Sequence, residues 1–574
     1  MSSFDHFLTT LNAILWHDSV LFLLLGTGIL FTVWSGFCQY RALTHGVRVI
    51  RGVYDQPDDP GAINHFQALS AALSATVGLG NIGGVAIAIA LGGPGAVFWM
   101  WIVGFLGMAI KLTEVTLSML YRNTDDPDNP HGGPMWVVSK ALAAKSPKLA
   151  GLGKTLGVIF CLTVLISTAT GGNMFQAWNV GMITEEYFGI PSVATGIVLA
   201  IIVGSVIIGG IKRIGAVAGR LVPIMLALYM LAGIYVLIVN YAQLPAMFAL
   251  IFRAAFSPLE ASGAFIGGTM GYAFLFGMKR ATFSNEAGQG TSPIAHSAAK
   301  TNEPVREGIV AGLEPFIDTI VVCTVTALVI LSTNVWNRPA EATLPAMTRV
   351  VQVADGNWSL AEIAPPARTE GSWAGGDGLF VILEAHPNPI SGNNLHRLDG
   401  SIVVDAAGGM HIEWSTLDSS ARPVLNGPEV YVSYVGATMT AKAFDSVIPG
   451  LGKWLITLTV WLFAISTCIS WSYYGEQSII YLVGERAVLP YKLIFCMLTI
   501  IATLGFLKTD AQLDNLTGVG TGVMLFVNVP IMWFMGRQAM RAYKDYINRL
   551  KTGRMGPEHP PPKLEDLISG RDVE

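Results

Sequence analysis

The sequence predicts an all-α polytopic membrane protein that carries a small β-rich insertion outside the membrane. Of its 574 residues, 52% are hydrophobic and only 13% are charged, whereas soluble domains carry about 25% charged residues. Apolar runs recur along the chain, and each is long enough to cross a bilayer about 30 Å thick. The segment 333–444 differs, because apolar and polar residues alternate in it between turn signals, as is typical of β-strands. These turn signals are Asp399-Gly400, Gly408-Gly409 and Asn426-Gly427.

The apolar runs indicate eleven transmembrane helices. They cover residues 18–37, 66–91, 94–120, 155–181, 192–211, 221–240, 263–279, 308–332, 445–471, 491–508 and 513–535. No Lys or Arg precedes the first run, so it is predicted to be an uncleaved span rather than a secretory signal. Lys and Arg concentrate in the loops of one side and in the C-terminal tail. The positive-inside rule therefore predicts a multi-pass protein of the cytoplasmic (inner) membrane, with the N-terminus outside and the C-terminus in the cytoplasm.

Glycine and polar residues interrupt the second span in the stretch SATVGLGNIGGVA, residues 74–86. An unwound backbone in hydrocarbon leaves N–H and C=O groups unpaired, so a break is tolerated only where it is buried in protein or lines a cavity. Gly80 and Gly84 form a GxxxG pair, and close helix packing is the alternative explanation. That alternative does not account for Thr76 and Asn81, and a discontinuous helix does.

A second broken segment, GGTMGYAFLFGMKRATFSNEAGQG (267–290), lies in the seventh span, five spans after the first break. If the first span is an addition, the other ten form two sets of five that each begin with a broken helix. This is the pattern of inverted-repeat secondary transporters, which bind substrate between the two breaks. The predicted units are an extra N-terminal helix with a cytoplasmic loop (1–65), the first repeat (66–240), the second repeat (263–535) interrupted by the external insertion (333–444), and a basic cytoplasmic tail (536–574).

The same residues carry a family resemblance that covers most of the membrane region. The motifs are TVGLGNIGGVAIAIALGGPGAVFWMW (76–101), GGPMW (132–136), KRATFSNEAGQGTSPIAHSAAKT (279–301), FIDT (316–319) and ISWSYYGE (469–476). They strongly resemble the alanine or glycine:cation symporter family of the amino acid–polyamine–organocation superfamily. The resemblance implies a five-plus-five inverted-repeat fold and sodium-coupled uptake of small neutral amino acids, with sodium as the co-transported ion and no cofactor. The 333–444 insertion departs from the family pattern, and its partner is left open.

A zwitterionic amino acid needs donors for its carboxylate and acceptors for its ammonium group. Backbone N–H groups at the first break supply donors without a charged side chain, which is costly in a membrane. The predicted substrate contacts there are Thr76, Gly78, Leu79, Gly80 and Asn81. Gln176 lies one helical turn from Asn173 and is predicted to contact the ammonium or carboxylate group. An interhelical hydrogen bond is the alternative for both side chains.

The resemblance adds further site residues. It implies that Phe274, Met278, Thr467 and Trp471 face the substrate and exclude long side chains, with ordinary core packing as the alternative. The superfamily's ion site implies sodium ligands from the backbone carbonyls near Thr76 and Val77 and from the hydroxyls of Ser466 and Thr467.

Several ionisable residues fall within or beside the spans. Asp318 is a lone acid in the eighth span, and an acid at that depth is a candidate for proton or ion coupling, with a buried, hydrogen-bonded acid as the alternative. Asn285 and Glu286 are predicted to cap a following helix or to form an inner gate. Lys111 and Glu114 lie three residues apart in the third span and are predicted to neutralise each other.

The sequence carries none of the motifs that are typical of enzymes or of nucleotide-driven transporters. GLGKT (151–155) is similar to a phosphate-binding loop, but Lys148 stands where that loop requires its first glycine. The sequence therefore predicts a sodium-coupled symporter rather than an enzyme. Its partners are a small neutral amino acid such as L-alanine or glycine, Na⁺ and membrane lipids, and no nucleic acid. The alternatives are a proton-coupled carrier with Asp318 as the relay, and an amino acid sensor that does not transport.

Overall fold

The computed structural model describes residues 3–56, 58–259, 263–265, 267, 270–387, 393–405, 408–434, 437–505, 510–555 and 561–569. The chain is mainly helical, and one β-region separates two groups of helices. The helices are α1 (Ser3–Leu15), α2 (Asp18–Trp34), α3 (Cys38–Arg41), α4 (Val47–Ile50), α5 (His65–Thr76), α6 (Val85–Gly92), α7 (Gly95–Tyr121), α8 (Pro134–Lys145), α9 (Ala150–Ala169), α10 (Phe175–Phe188), α11 (Ser192–Ile207), α12 (Gly210–Val239), α13 (Leu244–Phe256), α14 (Met270–Asn285), α15 (Ser292–His296), α16 (Pro304–Ala311), α17 (Thr324–Ser332), α18 (Ala437–Asp445), α19 (Leu451–Val483), α20 (Val488–Ile501), α21 (Asp510–Lys551) and α22 (Leu564–Ser569).

Every predicted span has a helix at its position in the described residues, although 266, 268–269 and 506–508 lie outside them. Seven helical stretches there are long and apolar enough to cross a membrane alone: Thr10–Trp34, Gly95–Tyr121, Pro147–Phe188, Gly210–Val239, Pro304–Ser332, Leu451–Val483 and Thr517–Lys551. An eighth consists of His65–Thr76 and Gly80–Gly92, whose axes differ by 52°. The protein is therefore a multi-pass membrane protein.

Single turns of π-helix mark the places where polar or small residues enter apolar helices. They lie at Ala42–Gly46, Gly80–Gly84, Thr170–Met174 and Phe316–Cys323. A π-turn leaves backbone groups out of the regular pattern and is frequent at functional sites. Three of these four turns carry or adjoin residues predicted to form the site.

Several helices continue beyond the predicted ends of their spans. α12 begins at Gly210, so Lys212 and Arg213, predicted in a loop, lie on its first turns. α21 runs to Lys551, so the predicted tail begins as its continuation. Tyr546 on this continuation is buried, and Arg549 lies 2.7 Å from Glu303. Apolar composition marks only the part of a helix at lipid depth, and the charged turns that extend it have no such signal.

Several further helices lie outside the predicted spans. Among them, α8 lies between the third and fourth spans, α13 lies between the sixth and seventh spans, and α18 precedes α19. All three contain fewer than fourteen residues, so none is long enough to be recognised as a span.

α7 lies centrally and packs on α14, α16 and α2. Its approach to α16 depends on Gly308, where an added Cβ would overlap the Thr116 hydroxyl.

The insertion forms two antiparallel sheets. Its strands are β1 (Ala342–Thr343), β2 (Val350–Ala354), β3 (Asn357–Leu360), β4 (Gly378–Glu384), β5 (Leu395–Val404), β6 (Met410–Trp414), β7 (Leu417–Asp418), β8 (Val424–Leu425) and β9 (Glu429–Val432). The larger sheet has the order β1-β9-β4-β5-β6 with β8 also paired to β4, and the smaller has the order β2-β3-β7. Alternate residues of β4, namely Leu379, Val381 and Leu383, are buried in one core, as the two-residue period of a strand requires.

One predicted turn in the insertion is wrong. Asp399-Gly400 lies inside β5, where Gly400 pairs with Trp414 of β6. The indole packs where a Cβ of residue 400 would be, with its Cε3 atom at 2.7 Å. This glycine therefore makes room for an aromatic ring rather than for a change of chain direction.

Candidate functional site

The break predicted at residues 74–86 is present in the structure. α5 ends at Thr76, and Val77 has an extended backbone (φ −76°, ψ 104°). The chain returns to helix at Gly80. The Asn81 side chain bridges the break, because its Oδ1 atom accepts a hydrogen bond from the Gly78 N–H at 2.7 Å. The break is buried in protein, as an unwound segment in a membrane must be.

A small cavity of about 30 Å³ lies against this break, which is room for one or a few water molecules. Its lining comes from five separate parts of the chain. The lining residues are Ala75, Thr76, Gly78, Leu79, Gly80, Ser167, Gly171, Gln176, Phe283, Glu286, Gln289, Thr467, Trp471, Thr517 and Thr521. Seven of the predicted substrate contacts are therefore brought together, and only a small ligand is compatible with the space between them.

Five lining oxygen atoms are buried without a hydrogen-bond partner within the described structure. They are Ser167 Oγ, Gln176 Oε1, Gln289 Oε1, Thr467 Oγ1 and Thr517 Oγ1. A buried polar atom without a partner costs about 1–3 kcal/mol. A ligand with N–H donors, or a cation, recovers that free energy when it binds here.

Glu286 is the one charged residue in the described lining of the cavity. Its backbone is in the left-handed region (φ 55°), and Gly288 and Gly290 also have positive φ, so the chain is unwound between α14 and α15. The Glu286 carboxylate accepts a hydrogen bond from Thr291 Oγ1 at 2.5 Å. A carboxylate surrounded by unpaired oxygens gives the cavity a negative character that suits a cation or an ammonium group.

The amide of Gln176 is held by its nitrogen. Nε2 donates to the Gly171 carbonyl at 3.0 Å, and this fixes the side chain so that Oε1 is the unpaired atom. Asn173, by contrast, has an interhelical role, because it donates to the Phe495 carbonyl at 2.7 Å and accepts from Thr499 at 2.8 Å. The two residues on this helical face thus differ in their contacts.

Trp471 approaches the cavity closely because the facing residue is a glycine. A Cβ at Gly172 would lie 2.4 Å from the Trp471 Cβ atom, so any side chain there would displace the indole. Phe283 is a second aromatic residue of the lining and lies 6.4 Å, ring centroid to ring centroid, from Phe175.

Phe274 and Met278 do not line the cavity, in contrast to the prediction. Phe274 packs on Phe22 and Trp99, with ring centroids 5.1 and 5.0 Å away, and Met278 is fully buried. The reason is that α14 is one uninterrupted helix across both residues. The chain unwinds only after Asn285, so the cavity lies more than one turn further along the chain.

Asn81 and Asp318 lie behind the cavity rather than in its lining. Asn81 Nδ2 donates to Asp318 Oδ1 at 2.6 Å, and the hydroxyls of Ser284 and Thr319 donate to Oδ2 at 2.9 and 2.7 Å. Asn285 Nδ2 in turn donates to Thr319 Oγ1 at 3.0 Å. This buried network joins the break in the second span to the end of α14.

The four predicted sodium ligands lie where α5 meets α19. Ser74 Oγ donates to the Ser466 carbonyl at 2.7 Å and fixes the register of the two helices. Thr76 Oγ1 is 3.4 Å from the carbonyls of Ala72 and Leu73, and Ser466 Oγ donates to Phe463 O at 2.9 Å. The structure brings Thr467 to the cavity with its hydroxyl free.

The sequence-based selection missed several lining residues, among them Ser167, Phe283, Gln289, Thr517 and Thr521. Thr517 and Thr521 lie four apart on one face of α21, within an apolar helix. That i, i+4 spacing of threonines at membrane depth was the available signal. Gln289 had a comparable signal, because it lies in the glycine-rich stretch after α14.

Comparison with known proteins gives a family match over most of the chain. The family model described as the sodium:alanine symporter family matches residues 1–364 and 423–559. The chain belongs to the sodium:alanine symporter family. Members of this family and the relatives below are transporters, not enzymes. Residues 365–422, most of the β-region, lie outside the family model.

Relatives in the sodium:alanine symporter family extend over most of the chain. The sodium/alanine symporter AgcS of Methanococcus maripaludis is 34% identical over 86% of this chain and 87% of its own. An uncharacterized transporter of Haemophilus influenzae is 30% identical over 95% of this chain and 97% of its own. A solved manganese transporter of Eremococcus coleocola covers 90% of this chain and 94% of its own at 10% identity, with a TM-score of 0.44, which is too low to carry a conclusion.

Proposed function

We propose that this protein is a sodium-coupled symporter that takes up a small neutral amino acid, such as L-alanine or glycine, across the cytoplasmic membrane by alternating access. The observation that carries the proposal is the small buried cavity at a broken helix, with five unpaired oxygens and a single carboxylate in its described lining. Membership of the sodium:alanine symporter family supports the same function.

The lining supports a specific orientation of the substrate. The ammonium group faces the oxygens of Gln176 and Glu286, because these are acceptors. The carboxylate faces the backbone N–H groups at Leu79 and Gly80, since the first N–H groups of a helix lack intrahelical acceptors and carry its positive dipole end. Trp471 closes the space left for the methyl group of alanine.

Sodium is proposed to bind where α5 ends. The last carbonyls of a helix lack intrahelical donors and form the negative end of its dipole, which favours a cation beside Thr76 and Val77. The Thr467 hydroxyl, which is buried and unpaired, and the Ser466 hydroxyl complete the proposed set of ligands. These oxygens lie next to the substrate space, so occupation of one site favours occupation of the other.

The proposed architecture is eleven spans in a five-plus-five inverted repeat, preceded by one extra helix, with the N-terminus outside. Two observations support it: helices lie at all eleven predicted positions, and the cavity lies against both the break in the second span and the unwound chain that follows α14. The distribution of Lys and Arg supports the orientation. Movement of one bundle against the other would open the cavity to each side in turn.

The first experiment measures uptake of radiolabelled alanine into proteoliposomes that contain the purified protein. An inward sodium gradient is expected to drive accumulation above equilibrium, and an equal choline gradient is not. The variant Gly78→Leu, which fills the break, provides the matched protein control. Equal uptake with sodium and choline would reject sodium coupling.

The same preparation separates the two alternatives. A proton-coupled carrier with Asp318 as its relay would accumulate alanine in choline when the lumen is alkaline. A sensor would bind alanine and accumulate it under neither gradient. The second outcome would direct attention to the external β-region, whose partner is unknown.

A further inference from the structure

The last turns of α21 cross the face of the protein that is predicted to be cytoplasmic. This cytoplasmic extension comprises residues 537–551. Two of its side chains, Tyr543 and Tyr546, are at most 3% exposed. At its start, Gly536 brings α21 against α2, because a Cβ there would lie 2.6 Å from the Cε1 atom of Phe31. The extension therefore packs on the rest of the protein.

An ion pair fixes the far end of the extension to the start of α16. The Arg549 guanidinium group donates to both carboxylate oxygens of Glu303, with Nη1 2.7 Å from Oε1 and Nη2 2.9 Å from Oε2. Nε of Arg549 donates to Asp545 at 2.8 Å, which orients the guanidinium group. The side chains of Arg549 and Glu303 are 12% and 4% exposed. A pair with two parallel hydrogen bonds is specific in its geometry, and burial protects it from screening by salt.

A second contact lies one helical turn before the ion pair. The Tyr546 hydroxyl and Nε2 of His45 share a hydrogen bond of 2.8 Å, and both residues are buried. His45 lies in the loop after α3, and the next residue packs on α16, because a Cβ at Gly46 would lie 3.4 Å from the Ile309 carbonyl oxygen. The extension, this loop and α16 thus meet at one place.

The C-terminal residues 561–564 lie over the loop before α16 without packing closely on it. A cavity of about 260 Å³ lies between them and Arg122, Thr301 and Asn302. The Leu567 carbonyl of α22 instead accepts a hydrogen bond from Arg541 of the extension at 3.4 Å. The tail is therefore attached to the extension, and the gap leaves little packing to break when the extension moves away from the loop.

The two partners of the ion pair belong to different sides of the substrate cavity. Glu303 precedes the span that holds Asp318, whose carboxylate binds Asn81 at the first break. Arg549 lies on α21, which supplies two threonines to the cavity lining. Residues 284–299, which join the cavity to the loop before α16, are all buried. The cavity is therefore closed toward this face, and the ion pair ties its two sides together there.

We propose that the cytoplasmic extension of α21 is a latch that holds the cytoplasmic side of the cavity closed, and that the Arg549–Glu303 ion pair opens when substrate leaves toward the cytoplasm. The proposal rests on the alternating access proposed above, in which one bundle moves against the other. An ion pair between two moving parts stabilises the state in which they touch, and its strength sets the population of the open state.

A native cysteine reports on the latch. Cys38 is 1% exposed, and it lies within electrostatic range of Tyr543 on the extension. When the extension moves away, the Cys38 thiol is expected to become accessible. Cys323 is 2% exposed and lies behind the cavity, where its Sγ atom is 3.3 Å from Asn81 Nδ2. Cys323 therefore reports on the fold as a whole.

The test measures the alkylation rate of each cysteine by a membrane-impermeant maleimide, in the purified full-length protein with sodium, by mass spectrometry. Arg549→Gln removes the ion pair and is expected to raise the rate at Cys38 about tenfold. Glu303→Gln is expected to have the same effect. The double variant should match either single variant, because all three lack the same contact.

Two further variants complete the design. Lys544→Gln is the matched control, because it removes a positive charge from an exposed position on the same extension, and Cys38 should then react at the wild-type rate. Tyr546→Phe keeps the ring and loses the hydrogen bond to His45, so it should raise the alkylation rate of Cys38 severalfold.

Uptake into proteoliposomes connects the latch to the cavity. Arg549→Gln is expected to raise the alanine concentration for half-maximal uptake severalfold, because a smaller fraction of the protein then has its cytoplasmic side closed. An unchanged value together with faster alkylation of Cys38 would show that the extension moves independently of the cavity, and it would overturn the latch.

The remaining outcomes separate the latch from the function on which it rests. An unchanged Cys38 rate in Arg549→Gln, an effect in the double variant equal to the product of the two single effects, or a parallel rise at Cys323 would each overturn the latch. Absence of sodium-driven alanine uptake in the wild type would reject symport. Alkylation needs no transport, so the two failures are distinguishable.

Discussion

Gly78 provides the most direct test of the substrate site. It has no side chain, and a Cβ placed there would lie 3.0 Å from Thr467 Oγ1, closer than a methyl group and a hydroxyl normally approach. The added methyl group would also enter a cavity of only about 30 Å³. We expect Gly78→Ala to occupy substrate space and to press on the Thr467 hydroxyl. Together these cost about 1.5–3 kcal/mol, or about ten- to a hundredfold in the Kd for alanine.

Direct binding of radiolabelled alanine at saturating sodium would measure this effect. Gly84→Ala is the matched control, because it lies on the same broken span and the nearest atom to its added Cβ is Arg280 Cδ at 3.9 Å. The control should bind alanine as the wild type does, and Gly78→Leu should show no binding while it still inserts into the membrane. A wild-type Kd for Gly78→Ala would refute the placement of substrate at the break.

Three other substitutions test separate walls of the cavity. Thr467→Val removes the free hydroxyl at constant shape and should raise the sodium concentration for half-maximal uptake about tenfold. Thr467→Ser keeps a hydroxyl and should return that sodium concentration to the wild-type value. An unchanged sodium requirement in Thr467→Val would show that Thr467 is not a sodium ligand. Gln176→Met removes an unpaired acceptor of the cavity and should weaken alanine binding about tenfold. Competition of unlabelled alanine against radiolabelled alanine would measure this change. If the variant and the wild type bind alanine with equal affinity, Gln176 does not contact the ammonium group. Phe283→Ala should admit valine and leucine as competitors of alanine uptake, whereas Phe274→Ala, away from the cavity, should not. The reverse result would restore the pocket predicted from the sequence.

The first break could be predicted from the sequence because its cause is local. Glycines beside Thr76 and Asn81 cannot be explained by lipid contact, and an unwound backbone at that depth needs a protected place. Gln176 was predicted from its polar side chain on one face of the fourth span, whereas Thr467 was implied only by the family resemblance. Both have a polar atom at membrane depth that lacks a partner in the described structure, and a binding site is the physical reason to retain such an atom.

The second break was located only approximately, because glycine alone does not determine where a helix unwinds. Gly271 and Gly277 lie within the continuous α14, and a Cβ at Gly277 would lie 2.4 Å from the Ala96 carbonyl oxygen. Gly277 therefore allows two helices to touch. The chain unwinds at Glu286, Gly288 and Gly290, where φ is positive. Packing partners decide between these two uses of glycine, and they come from α7, far away in the sequence.

The buried charges show most clearly that contacts between residues distant in the sequence could not be predicted from it. Lys111 and Glu114 lie three positions apart, and the ion pair that this spacing predicts is present at 3.9 Å, but Glu314 lies nearer to the same ammonium group, at 3.3 Å. Glu114 also accepts a hydrogen bond from Asn528. No periodicity marks partners two or four hundred residues apart. Since Glu314, the nearer partner of Lys111, also hydrogen-bonds His296, the charges form one connected cluster that joins α7 to the segments beside the cavity. A substitution at Lys111 should therefore affect the cavity as well as α7.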